Sequence, residues 1–249
     1  MPKPYELALH DSNRLLFEFD PKQGDEFGRK FDAAGTYPKG EDIRNKVHGK
    51  LLAWLRQNTE AVNWKYDKKD KKIHATVTKF ETSGLQYKPW YIAQHYFDVR
   101  GYADAAGKHG VDNHLAREAK KAGKEIGGLE SVDEHIQVLS GLSDIDSEIL
   151  LLDQIVHGYQ DENNFDKLRV AWRHGNTDKL WALDARLRRE APQVAARLVN
   201  DRNIRWIPRI EREIKTGKPT AIVAGAAHFA GPNSVVTLLQ RRGYTIEQL

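Results

Sequence analysis

Apolar positions along the chain fall into two rhythms. Arg14-Leu15-Leu16-Phe17-Glu18-Phe19-Asp20 is a near-continuous apolar run closed by Pro21, which predicts a buried strand. Residues 22–40 hold five glycines or prolines among charges and predict a loop. From Glu41 to about Gln57, Ile43, Val47, Leu51 and Leu55 share one face and predict a helix. Lys65 to Lys72 reads as a solvated loop, and Ile73 to Phe80 alternates as a strand does. Pro89 and Trp90 open a helix that runs to about Val99.

From Gly110 the pattern becomes regular. Asp112 is the expected cap of a helix whose Leu115, Ala119 and Ala122 face inward and which Gly123 ends. Lys124 to Leu129 predicts a strand, and Ser131-Val132-Asp133-Glu134 is a capping box that starts the next helix. Helices are expected over about 144–159, 163–174, 177–190 and 192–215, with Pro208 breaking the last near residue 207. A strand at 220–225, a helix at about 232–242 and a strand at Tyr244 to Glu247 complete the reading. The fold class is therefore α/β (α+β), a mixed central sheet flanked by helices. One domain over 1–249 is expected, with a helical subdomain at about 41–105 and 144–215.

Composition narrows the chemistry. The 39 basic and 35 acidic residues leave a formal charge of +4, too small to indicate nucleic acid. With no cysteine, disulfides, thiolate catalysis and Cys-based zinc sites are excluded, and a metal would need His, carboxylates or carbonyls. No apolar stretch is long enough to span a bilayer, and Met1 to Tyr5 carries no signal-peptide core; the compartment stays open. HExxH, a Gly-rich phosphate loop and a Gly-x-Ser-x-Gly elbow are all missing.

Four polar residues stand where the pattern asks for apolar ones. Glu18 interrupts the first strand; it is either paired or metal-bound, or it lies with Leu16 and Asp20 on an exposed face. Glu130 falls between a strand and a capped helix, either as a site acid or as a residue that stabilises the helix dipole. Arg202 shares a face with Val194, Leu198, Trp206, Ile210 and Ile214, so its guanidinium needs a carboxylate or phosphate partner. His228 follows Gly225 just past the strand at 220–225, where ligand sites of α/β sheets lie.

In order, these residues resemble a known family. Gly110-Val111-Asp112, Ala119-(x)3-Gly123-Lys124 and Gly128-Leu129-Glu130-Ser131 look like a "GxD…A…GK…LET" block. Asp201-Arg202-Asn203-(x)2-Trp206 resembles "ERNxxW". Gly225-Ala226-Ala227-His228-(x)2-Gly231-Pro232, followed by Leu238-Leu239-(x)3-Gly243-Tyr244, resembles "GxxHLxGxxGxxxLLxxxGY". The family is TraB/PrgY/GumN, which includes the Tiki metalloproteases. The resemblance implies a sheet-and-helix fold related to erythromycin esterase and ChaN. It also implies a divalent ion held by Gly-x-x-His histidines and acids: here His228, Glu130 and Glu18 as ligands, with Arg202 and Asn203 as the "RN" pair. The family's first Gly-x-x-His would lie upstream of Glu6–Asp20, and His10 lacks a glycine at the right offset. Either an N-terminal strand precedes this sequence or the site has one ligand fewer.

Two functions are expected from this resemblance and these residues. One is a metal-dependent, peptidase-like hydrolase using Mn, Co or Zn, with Glu130 and Arg202 catalytic. The other is a non-catalytic peptide- or small-ligand-binding protein, in which Arg202 and Asn203 grip a carboxylate and Trp206 walls the pocket.

Overall fold

The computed structural model describes residues 3–67, 72–95, 110–160, 164–183 and 185–248. They fall into two compact units, Met1–Lys30 with Val99–Val138 and Asp161–Leu249, and Phe31–Asp98 with Leu139–Gln160. The chain is mixed α/β, with a small parallel sheet flanked by helices.

The first unit is built on that sheet. Strand β1 (Arg14–Phe17) lies between β4 (Glu125–Gly128) and β5 (Thr220–Val223), parallel to both. The strand is covered on both faces, as a parallel strand requires. Leu16 packs with Leu129, Trp206, Ile207, Ile210, Val235 and Leu239. Leu15 and Phe17 pack the other way, with Leu115 and Ala119. This disposes of the exposed-face reading of Glu18, because Leu16 on the same side is buried. Helix α6 (Val111–Lys121) covers the Leu15 face; helix α13 (Asp201–Lys215) and α14 (Val235–Gln240) cover the Leu16 face. Helix α1 (Lys3–Asp11), which the apolar pattern does not announce, lies beside α6.

In the second unit, α3 (Gly49–Asn58) is followed by a hairpin of β2 (Glu60–Asp67) and β3 (Lys72–Lys79). Helix α4 (Phe80–Ser83), α5 (Pro89–His95) and α8 (Asp144–Gln160) complete it. Its core gathers Ile43, Leu55, Phe80, Trp90, Ile92, Leu150 and Leu151. Ser147 Oγ accepts from the Trp90 backbone N–H at 2.9 Å, satisfying a donor of the first turn of α5.

Several expectations are corrected here. Residues 24–35 form helix α2 (Gly24–Gly35) rather than loop, because Phe27 and Phe31 recur at helical spacing despite three glycines. The helix expected from Glu41 resolves into a short 3-10 turn, Ile43–Asn45, capped by Asp42, and then α3. Lys65 to Asp67 belong to β2, where pairing overrides their charge, while 68–71 lie outside the described residues. So does the last part of the helix expected to reach Val99, since α5 is described to His95. Gly110, not Asp112, occupies the N-cap of α6. Pro208 sits inside α13 without ending it: it and Ile204, whose carbonyl loses its i+4 partner, are both on the exposed side, where water can serve that oxygen. Ile214 is also exposed, not inward. Residues 244–248 form no strand.

Helix α12 (Pro192–Ala195) passes through a π-helical stretch, Ala196–Asn200, into α13. Such wide turns interrupt the i→i+4 ladder and are common beside functional residues. Among the described residues, no helix is long and apolar enough to cross a membrane.

Candidate active site

The carboxyl ends of the three parallel strands deliver their next residues to one point. Two ladder bonds continue past β1 and β4: Leu129 N–H donates to Phe17 O at 2.8 Å, and Glu130 N–H to Glu18 O at 2.9 Å. Glu18 and Glu130 are therefore set side by side. Gly128 is obligatory there, because a Cβ would fall 2.6 Å from Asp20 N and 2.9 Å from Phe19 C, both backbone. From the third strand, the 3-10 turn Ala226–Phe229 carries His228 back over the strand ends, and the Gly225 N–H donates to Glu18 Oε1 at 2.7 Å.

Arg202, from the first turn of α13, reaches the centre of this group. Its Nη2 donates to Glu18 Oε2 and to Glu130 Oε1, each at 2.5 Å. Its Nε lies 3.3 Å from Glu130 Oε2, and Nη1 lies 3.3 Å from His228 Nε2. Trp206, one turn on, donates Nε1–H to Glu130 Oε2 at 3.0 Å, and its ring packs under both Arg202 and His228. Asn203 completes the arrangement. Its amide nitrogen donates to the carbonyls of Asn233 (2.8 Å) and His228 (3.4 Å), which accept only. Its Oδ1, 2.6 Å from His228 Nδ1, must then accept a proton from that nitrogen. His228 is thereby fixed with Nδ1 protonated and the Nε2 lone pair turned to the centre, as buried ligand or base histidines usually are.

All six residues singled out in the sequence thus meet here, and the structure adds a seventh. His135, in helix α7 (Val132–Ser140), brings Nδ1 to 2.7 Å from Glu130 Oε1. An ionised carboxylate only accepts, so Nδ1 carries a proton toward it, and among the described residues Nε2 has no hydrogen-bond partner. No motif flags His135; the only local cue is its place directly after the capping box, whose Ser131 and Glu134 make the reciprocal bonds expected of them. Phe19 and Phe27 wall its ring at 4.9 and 5.5 Å. The group has a closed side and an open one: Glu130, His228 and Arg202 side chains are 2%, 4% and 8% exposed, whereas Glu18 and His135 are 20% and 22% exposed.

Charge balance follows from this geometry. Burial would raise the Glu130 carboxyl, but the bonds from His135 and Arg202 more than offset it and hold it at about 2. Burial likewise works against ionised Glu18, and Arg202, His228 and the Gly225 N–H pull it below its ordinary value. Burial pushes His228 down to about 4, only partly countered by Glu18, so its imidazole is neutral at physiological pH. These shifts set a pH window. A native His228 that refuses a proton which the unfolded chain accepts makes stability fall as pH drops from about 6.5 to about 4. Glu130 adds a loss from about 4.5 towards 2, as the unfolded chain takes up the proton first. Urea titrations at a series of pH values should show the upper slope flattened in His228→Gln and the lower one kept. Equal slopes between pH 6.5 and 4 in both proteins would contradict the assignment.

Could these residues hold an ion? Of the expected ligands, Glu18 and Glu130 group with His135 rather than with His228: these three each offer a ligand atom, all within 4.8 Å of one another, and two carboxylates with an imidazole suit a divalent cation. Arg202 Nη2, however, stands among those same atoms, at 2.5, 2.5 and 3.1 Å. The His135 nitrogen facing that point is also protonated toward Glu130. A guanidinium therefore fills the cation position, and as folded the group does not accommodate an ion beside it.

A parallel α/β sheet with a charged, histidine-bearing centre at its strand ends defines an α/β protein whose candidate site lies where ligand sites of such sheets lie. The TraB/PrgY/gumN family model matches residues 1–248, essentially the whole chain. The protein belongs to the TraB/PrgY/gumN family. No curated protein and no solved structure matches it.

Proposed function

We propose that the protein is a hydrolase of peptide or similar bonds, working at the strand-end centre. The observation that carries this reading is the pairing of each imidazole with an orienting partner, Glu130 for His135 and Asn203 for His228. Each ring then has Nδ1 as its donor and turns Nε2 away from that partner, in His228 toward Arg202, the orientation that general bases use. His135, on the open side, is the base for an attacking water. Arg202 reaches the oxyanion that develops on the attacked carbonyl only by exchanging one of its N–H bonds, all of which are taken by Glu18, Glu130, His228 and the Leu198 carbonyl. Glu130 orients both of these residues and stays ionised throughout.

A divalent ion, Mn, Co or Zn, would use Glu18, Glu130 and His135, supplying Lewis acidity and a more acidic bound water. It enters only where Arg202 leaves. The alternative function is a non-catalytic peptide- or small-ligand-binding protein, favoured by the mutual saturation of Glu18, Glu130 and Arg202.

Peptide-library cleavage, read by mass spectrometry, tests these readings. The hydrolase reading expects cleavage that falls at least about 100-fold in His135→Gln. Activity that survives EDTA marks the guanidinium-based form, and activity that needs added manganese marks the metal form. Peptide binding without cleavage would replace both with the binding protein.

A further inference from the structure

A second feature of the sheet unit lies on the opposite face of β5. There, a cavity of about 440 Å³ opens against Ala221, Ile222 and Val223, which are only half-buried. Its walls are the apolar faces of Tyr5, Leu9, Leu115, Trp172, Leu180 and Phe229. The Tyr5 and Trp172 rings meet at 5.3 Å, tilted by 45°, to form one side. The volume falls in the range of small-molecule sites, and a mostly apolar lining with, among the described residues, one charged group is their usual composition. The residues of a parallel strand are ordinarily covered, so an open cavity over β5 leaves apolar surface that a ligand would remove from water.

The charged group is Asp112, in the first turn of α6. As a first-turn acid it gains from the helix dipole, which by itself is no more than a structural role. Two further facts distinguish it. Among the described residues, its carboxylate makes neither a hydrogen bond nor an ion pair, and Glu18 is the charge that acts on it. Its side chain is exposed to solvent on one side while the cavity walls crowd it on the other, so burial first and Glu18 second push its carboxyl above the ordinary value. Tyr5 responds in the same sense: burial raises its hydroxyl, and Asp112 adds to the rise. Among the described residues that line it, the cavity therefore holds negative charge with no cation to balance it.

We propose that this cavity is a binding site for a ligand with an apolar body and a protonated amine, the amine resting on Asp112. The turn Ala224–Ala226 forms one border of the cavity, and Gly225 in that turn is also bonded to Glu18. A ligand seated here thus lies against the back of the strand-end centre. The inference goes beyond the hydrolase reading and does not depend on it, since occupancy is measured without turnover.

Calorimetry with octylamine, nonanoate and octanol on the full chain at low ionic strength tests it; the three probes share an eight-carbon apolar chain and differ in head-group charge. Octylamine should bind at least ten-fold tighter than nonanoate, with octanol between them. Asp112→Asn should reduce the amine-to-carboxylate ratio below three-fold while leaving octanol unchanged. Ala221→Phe, or Ala8→Phe if the first variant does not fold, should weaken all three by filling the cavity. Equal binding of amine and carboxylate, or an amine preference that survives Asp112→Asn, would overturn the proposal. So would octylamine binding that both filled-cavity variants retain.

Discussion

Arg202→Ala is expected to remove about 3–5 kcal/mol of stability and to create a divalent-cation site where the wild type has none. Both effects follow from one geometry. The guanidinium is the counter-charge for two carboxylates of which one is almost wholly buried, and its removal leaves them facing each other without a partner. The donors Glu18, Glu130 and His135 then surround an open point, with ligand atoms within 4.8 Å of one another. Manganese should bind the variant at least ten-fold more tightly than the wild type, read by electron paramagnetic resonance. It should also raise the variant's melting temperature, because an ion bound only by the folded state stabilises it. Arg202→Met, which keeps the length of the side chain, should behave alike and so separate lost charge from lost packing. A variant that folds and binds no more manganese than the wild type would refute the idea that the guanidinium holds the cation position.

The second large effect is expected at Trp206. The residue is 1% exposed and joins three things: the core of Leu16, Leu129, Ile207 and Ile210, the Glu130 carboxylate and the ring of His228. Trp206→Ala should destabilise by about 3–5 kcal/mol through lost burial and a cavity. Trp206→Phe keeps most of the apolar contact and loses the N–H donor to Glu130, so about 1–2 kcal/mol is expected. Guanidinium denaturation of the two variants separates packing from hydrogen bonding. Equal losses in both would assign the whole effect to the indole N–H, and a Phe variant as stable as wild type would show that Glu130 does not need it.

Much of this centre is legible because its residues break a pattern. Glu18 interrupts an apolar strand, Arg202 falls on an apolar helix face, and His228 follows a glycine at a strand end. Each is a local violation that burial alone would penalise, and each is resolved by the others. The capping box and the glycine that ends α6, with φ of 66°, are equally local and equally readable. His135 is not readable, because a histidine in the first turns of an amphipathic helix breaks no rule. It acquires meaning only when the ladder bond from Glu130 to Glu18 fixes where Glu130 points. Helix α2 was hidden for the converse reason: its glycines mask a helical spacing of phenylalanines that packing then enforces. The cavity beside β5 is likewise invisible in sequence, since α1, α6, β5 and the segment around Trp172 contribute to it from distant parts of the chain.

Spacing and residue type alone determine the strand at Thr220–Val223 and the helix after it, the capping box at Ser131 and the few polar side chains that need partners, though not the cap of α6 or a terminal strand at Tyr244, because the former depend on contacts within one or two turns of chain. The tertiary structure alone decides that a guanidinium, rather than an open point, lies between Glu18 and Glu130. That outcome depends on aligning three strand ends with a helix 184 residues away from the first carboxylate, a distance no local rhythm can encode.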